Sequence, residues 1–378
     1  MTAAGIIFSN IHDKNIADLT KMRTMASVPF GCRYRLIDFA LSNMVNSGIS
    51  DISVITHYNY LSLMEHIGSG KDWDLARRSG GVRILSPYIT AYANYRNSLY
   101  NSRLEALMSI QYSISHMTED YVVLSDCDGI CNIDLRDMIR AHKESDADLT
   151  MAVKRIAVTS KNAEQNIIVS SNDRGEITDL LVHPTLFDEK EADVNINIWV
   201  ISRSYLLNAL MNAQAHGYTS FSRDIIRRNI QKDRLYIYRF DGYYVSINSI
   251  VDYYNYSMEL IGNAMVRRDL FNNPQRPILT KVRNSPPTQY TKDACVKNSL
   301  IADGCQIDGT VENSLLFRGV KIGKGTVVKN SILFMDTYTG SDVSLNCVIA
   351  DKHVSFRDGT MLAGHPELPF YIEKGRSL

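Results

Sequence analysis

From the N-terminus to about Tyr254, short apolar runs alternate with segments whose apolar residues recur at helical spacing. AGIIF, DISVITHY (Asp51 to Tyr58), YVVLSDCD (Tyr121 to Asp128) and DLTMAVKRI (Asp148 to Ile156) predict strands that are apolar on both faces. LIDFALSNMVNSG (Leu36 to Gly48) and SRLEALMSIQYSISHM (Ser102 to Met117) predict amphipathic helices. This alternation predicts an α/β, Rossmann-like domain with a mostly parallel sheet covered on both faces, where ligands collect beyond the C-terminal strand ends.

The pattern changes after a predicted helix from Ile250 to Leu270. The stretch NNPQRPILTKVRNSPPTQY, Asn272 to Tyr290, holds Pro274, Pro277, Pro286 and Pro287 and reads as an extended linker. Beyond it aliphatic residues recur six apart, as in Ile301 and Ile307, Ile322 and Val328, and Val343 and Ile349, with Gly, Asn and Asp between them. That beat predicts a left-handed parallel β-helix of hexapeptide repeats, with about four coils at ~18 residues per coil. The expected division is a Rossmann-like domain over 1–254, a helix and proline-rich linker over 255–290, and the β-helix over 291–378.

Composition narrows the function. In 378 residues, 41 Lys and Arg balance 41 Asp and Glu, so no global field favours nucleic acid or an anionic membrane, and a charged ligand needs a local cluster. No apolar run reaches the ~18 residues that span a bilayer, and the opening MTAAGIIFSN lacks the basic flank of a signal peptide. A cytoplasmic protein is expected. The six cysteines are scattered without a C-x-x-C spacing, which predicts reduced, mostly buried thiols.

The stretch SVPFGCRYRLIDFALSNMVNSGISDISVITHYNYLSLMEHIGSG, Ser27 to Gly70, resembles the ADP-glucose pyrophosphorylases, or glucose-1-phosphate adenylyltransferases. Their pattern reads A-V-x-F-G-G-K-Y-R-I-I-D-F-x-L-S-N-C-I-N-S-G-I, followed by L-T-Q-Y and H-I. With the β-helix tail the resemblance covers the whole chain. It implies a nucleotidyltransferase first domain and a tetrameric enzyme that joins glucose 1-phosphate to ATP and releases pyrophosphate, the committed step of bacterial glycogen synthesis. Such chemistry needs backbone N–H groups and cations around the triphosphate, Mg²⁺ between carboxylates, and a lysine on the sugar phosphate.

The residues that the resemblance points to depart from those requirements. Where the family places G-G-x-G-x-R-L, this chain reads FSNIHDKNIADLT, with Ser9 and Asn10 in place of the paired glycines, Asp13 where phosphates would sit, and Lys14 reading as a solvated surface cation. The lysine of R-x-K-P-A is replaced by Met25. Of the two metal aspartates Asp128 remains, as the one weak metal candidate, while Ser246 stands in place of the second; Asp126 shares a face with Asp128 only if the strand continues regularly. In the sugar-site pattern F-V-E-K-P, Val182 and His183 replace the glutamate and lysine, and His183 reads as a half-buried loop histidine. The Y-R-G-T-A-D-A element becomes YNSRLEA, with Ser102 for the glycine and Glu105 for the aspartate, and the adenine-contacting glutamine of L-T-Q-Y is His57.

Losing one preorganised electrostatic donor costs ~10²–10³ in rate, and several are absent together. The resemblance therefore implies a non-catalytic or weakly catalytic subunit of the GlgD type, acting on a GlgC-type catalytic paralogue in a mixed tetramer. Mg²⁺ would be required by the catalytic partner, and no cofactor is assigned to this chain. Effectors of the family are phosphorylated sugars, for which Arg23, Arg33 and Arg35 are the candidates; an ion pair of Arg35 with Asp38 on an exposed face explains that residue equally well. One alternative is an active adenylyltransferase with a rebuilt site. A second is acyl transfer on the β-helix, which would need a histidine within the coils, and His353 and His365 lie only in the terminal segment.

Overall fold

Strands buried on both faces form the centre of the first unit, as their unbroken apolar runs require. Ala3–Phe8 is hydrogen-bonded in parallel between Asp51–Ile55 and Tyr121–Asp126, and Gly81–Leu85 continues the sheet in parallel beyond Asp51–Ile55. The computed structural model describes residues 3–86, 100–160, 162–188 and 190–378. On the other side of Tyr121–Asp126 the sheet continues through Lys190–Ser202, Leu149–Val158 and Leu235–Arg239, with Ile167–Ser171 and Ile177–Val182 completing nine strands. Only Lys190–Ser202 and Ile177–Val182 run against the rest, which bears out the mostly parallel sheet.

Helices cover both faces. Ala4, Ile6 and Phe8 join Leu104, Leu107, Ile114, Trp199 and Leu206 in one core. On the opposite face Gly5 lets the helix Leu36–Asn46 approach, since a Cβ there would lie 2.5 Å from the sulfur of Met44. The helix expected from Ser102 to Met117 breaks at Ile110 into Arg103–Ser109 and Gln111–Ser115.

The chain divides into two compact units, and neither is one continuous stretch. The first holds the segment ending at Ile11, Phe39–Ser246 and Pro274–Leu279; the second holds His12–Asp38, Ile247–Asn273 and Thr280–Leu378.

In the second unit, three parallel five-stranded sheets are built from one short strand per coil, starting at Gln289–Tyr290, Cys295–Lys297 and Leu300–Ile301. This is the hexapeptide β-helix the six-residue beat predicts, with five coils where about four were expected. The pairings Gln289–Gln306, Gln306–Lys321, Lys321–Tyr338 and Tyr338–Ser355 make each coil 17 or 15 residues, shorter than the ideal ~18. At one corner Asn298, Asn313 and Asn330 take positive φ, and their amides run on to Asn346 as a ladder with steps of 3.1, 2.6 and 2.9 Å. Asparagine tolerates left-handed backbone and can bond to its copy in the next coil, so one residue type satisfies both demands of the corner.

The helix expected from Ile250 to Leu270 is interrupted at Asn263. Its side chain caps a second helix, Ala264–Phe271, following the first, Ile250–Gly262. Tyr253 of the first helix sets its ring edge-on to Phe334 of the β-helix, 6.1 Å between centroids, and its hydroxyl donates to the carbonyl of Pro29 at 2.6 Å. The loop His12–Asp38 is thereby tied to the helix within this unit.

Candidate functional site

Three neighbouring parallel strands end together, with Phe8 opposite both Ile55 and Asp126, so Ser9 and Asn10, His57, and Asp126 to Asp128 emerge at the C-terminal edge of the sheet. Ser9 and Asn10 are both buried. The hydroxyl of Tyr100 donates to Oδ1 of Asn10 at 2.8 Å, and the Asn10 amide donates to Nδ1 of His57. Nδ1 also accepts the Tyr58 backbone N–H at 2.9 Å, so the proton of the neutral ring sits on Nε2. Burial pushes His57 down to about 4, so the ring is neutral at physiological pH. It lies 3.9 Å from the Tyr58 ring and 4.6 Å from the Tyr100 ring, centroid to centroid. Asn10, His57 and Tyr100 thus bond to and stack on one another at the positions where the family pattern puts a glycine loop and an adenine contact.

At the third strand end, the strand stops at Asp126 and Asp128 follows in a bend, so the two do not share a face by regular alternation. A carboxylate oxygen of each nonetheless lies within 4.8 Å of the other's. Asp126 is gripped by Arg103: Nε donates to Oδ2 at 2.9 Å and to Oδ1 at 3.1 Å, and Nη2 also bonds Oδ2. The guanidinium carbon sits 5.2 Å from the centroid of the buried Trp199 ring. Burial alone would lower the Arg103 pKa, but Asp126, and behind it Asp128, hold it above the ordinary arginine value. Oδ2 of Asp128 accepts from the Ser246 hydroxyl at 3.0 Å and from the Asn197 amide at 3.1 Å. Asn197 reaches it from a left-handed kink, φ 58°, at an irregularity in Lys190–Ser202. Mg²⁺ requires several oxygen ligands, mostly anionic, at ~2.0–2.1 Å. One carboxylate held by neutral donors and one already bound to a guanidinium do not fit it.

The remaining positions are held by contacts of their own. Val182 closes the strand Ile177–Val182, paired with Ile167. His183 is exposed and not half-buried: at φ 52° its backbone N–H donates to the carbonyl of Asn166, and its ring bonds the carbonyl of Glu164 at 2.9 Å. A tight turn, which needs a positive φ, decides that placement. Ser102 caps the helix Arg103–Ser109 by accepting the Glu105 N–H, and its hydroxyl donates to the carbonyl of Thr219 at 2.6 Å. In the second unit Met25 is buried, and its N–H donates to Oδ1 of Asp13 at 2.6 Å. Burial pushes Asp13 up to about 7, so it is a structural acid rather than an exposed anion. Lys14 is exposed, as expected.

The three effector candidates separate. Arg33 is exposed, 5.9 Å over the Tyr34 ring. Arg23 and Arg35 are buried, which corrects the exposed reading. Nη2 of Arg23 donates to both oxygens of Asp351, at 2.8 and 2.9 Å, and Tyr371 donates to the same carboxylate at 3.0 Å. Asp38 accepts the backbone N–H of Arg35 at 3.0 Å, so it caps the turn entering the helix Leu36–Asn46. Lys352 lies within the field of both arginines; burial first, then Arg35 and Arg23, push its pKa down to about 7. Arg23, Arg35, Lys352 and Asp351 form a cluster with excess positive charge, all within the second unit.

Sequence reasoning missed Arg103 and Lys352. Arg103 left a legible signal, a cation at the threonine of Y-R-G-T-A-D-A, whereas Lys352 sits in a coil turn whose spacing shows no such mark. No disulfide joins the six cysteines, and all but Cys295 are buried. His353 and His365 are both exposed on the β-helix. No helix among the described residues is long and apolar enough to cross a membrane.

A nucleotidyl transferase family model matches residues 12–261, and a model for the GlmU-like C-terminal hexapeptide matches residues 286–368. The chain is 32% identical to a glycogen biosynthesis protein, GlgD, of Bacillus subtilis, over 98% of this chain and 95% of that one. It is 35% identical to a glucose-1-phosphate adenylyltransferase of Halalkalibacterium halodurans over 86% of this chain and 83% of that one. To the enzyme of the same name from Geobacillus stearothermophilus it is also 35% identical, over 83% of this chain and 80% of that one.

Proposed function

From the premise that this chain belongs to the nucleotidyl transferase family, in the group of the glucose-1-phosphate adenylyltransferases, we propose that it is a non-catalytic or weakly catalytic regulatory subunit. It would act in bacterial glycogen synthesis, in the cytoplasm, by stabilising the active state of a catalytic paralogue in a mixed tetramer. One observation carries the reading. The side chains at the strand ends are engaged with one another, Asn10 with His57 and Tyr100, Arg103 with Asp126, and Ser246 with Asp128, rather than presented to a nucleotide. A site built to hold a triphosphate leaves its donors aimed at the ligand. The sheet and β-helix scaffold is nevertheless intact, as a subunit whose work is contact requires.

The test is to assay ADP-glucose synthesis with this chain, with a catalytic paralogue, and with both mixed. Activity of the mixture several-fold above the sum, with a complex on gel filtration, is expected. Additive activities without a complex defeat the reading. Pyrophosphate release by this chain alone, abolished in Asp128→Asn, would establish an active enzyme with a rebuilt site instead.

The effector role belongs to the same proposal. Arg35 and Lys352, with Arg23 balanced by Asp351, supply the local positive charge that a phosphorylated sugar needs in a chain of zero net charge. Exposed Arg33 takes no part in that cluster.

A further inference from the structure

We infer that the guanidinium of Arg103 permanently takes the place of a divalent cation, making the Asp126–Asp128 pair a closed ion site whose counter-ion is part of the chain. Both aspartates are buried, and oxygens of the two lie within 4.8 Å of each other. Two carboxylates so placed repel strongly unless a cation stands with them. In this chain that cation is covalent. Arg103 is held by the bidentate contact to Asp126 and by the face of Trp199, and its side chain is only 13% exposed against 1% for that of Asp126.

Geometry excludes the two cations from sharing the site. Mg²⁺ would need Asp126 as an inner ligand, but a planar fork already takes both oxygens of that group. Oδ2 of Asp128 is given to Ser246 and Asn197, neutral donors whose hydrogen atoms face that oxygen. To bind Asp126, the metal must expel Arg103 and uncover Trp199. Ser246 and Arg103 therefore act in the same direction: Asp126 and Asp128 set two negative charges against one guanidinium, and a serine at 246 keeps a third carboxylate from adding to that excess. The inference concerns the charge balance of this chain by itself and does not depend on the regulatory partnership.

The experiment is a titration with Mn²⁺, followed by the electron paramagnetic resonance of the free ion, on the full chain as wild type, D128N, R103T/S246D and R103T/S246D/D128N. Wild type and D128N are expected to superimpose through the millimolar range. R103T/S246D is expected to gain a single site, which D128N removes, and Mg²⁺ should raise its melting temperature while leaving that of wild type unchanged. A wild-type site that D128N abolishes overturns the inference, and this comparison decides it even where the Arg103 variants do not fold. A folded R103T/S246D that gains no site overturns it equally.

Discussion

At the residue scale, the most consequential side chains are charged groups whose burial the sequence does not announce. Lys352 is a case with a measurable sign. Its folded pKa lies near 7, well below the ~10.4 of a free lysine. Its neutral form is favoured by folding, so the stability it contributes is present above the unfolded value and is lost as pH falls toward 7. An anion bound beside it reverses the preference and draws a proton onto the amine. Sulfate, which does not titrate in this range, should therefore bind more tightly as pH falls from about 9 to about 7, with proton uptake seen by calorimetry in buffers of different ionisation heat. In Lys352→Met the pH dependence should vanish. Sulfate affinity that is flat with pH in the wild type would remove Lys352 from the anion site.

At the element scale, the strands and coils were legible because their patterns are simple, an unbroken apolar run for a strand buried on both faces and a period of six for a coil face. The interruptions were not. Ile110 and Asn263 break helices whose apolar spacing runs straight through them: at Asn263 a side-chain cap satisfies backbone donors locally, at Ile110 the backbone N–H turns back to the carbonyls of Leu107 and Met108, and neither leaves a periodic trace. The asparagine ladder shows how a coil fixes its own corner. Asn330 combines a φ of 45° with hydrogen bonds to Asn313 and Asn346, and its carbonyl accepts the Tyr254 hydroxyl at 2.7 Å. Asn330→Ala loses two side-chain bonds and keeps a strained left-handed residue, so a cost of about 2–3 kcal/mol is expected in urea unfolding. Asn330→Gly relieves the strain and should cost about 1 kcal/mol less than the alanine variant. Equal destabilisation by the two would show that φ plays no part.

At the scale of the whole molecule, the second unit is closed by a contact between the beginning and the end of the chain. Arg23 and Asp351, 328 residues apart, form an ion pair whose side chains are each 3% exposed. Removing one partner strands a buried charge, so Arg23→Ala should cost about 3–5 kcal/mol and lower the melting temperature of the whole transition. Replacement by lysine keeps the charge but not the reach and planar shape of the guanidinium and should recover only part of it. An unchanged melting temperature in Arg23→Ala would mean that the pair contributes little. A dependence this large would also couple the N-terminal loop to any effector held at Arg35 and Lys352, since Asp351 precedes Lys352 directly.

The sequence by itself determined the two textures of the chain, the parallel sheet and the stacked coils, because hydrophobic period is a local property that each segment carries. Beside the family pattern it also shows Ser9, Asn10, Met25, Val182, His183 and Ser246 standing where that pattern has glycine, lysine, glutamate or aspartate, each of which can be read one by one. Only the tertiary structure decided what those positions do now. That Tyr100 meets Asn10 across 90 residues, that Arg103 meets Asp126, and that Arg23 and Arg35 are buried where their charges act on Lys352 are facts of position in space. Ion pairs and desolvation depend on distances in space, and residue spacing along the chain carries no record of them.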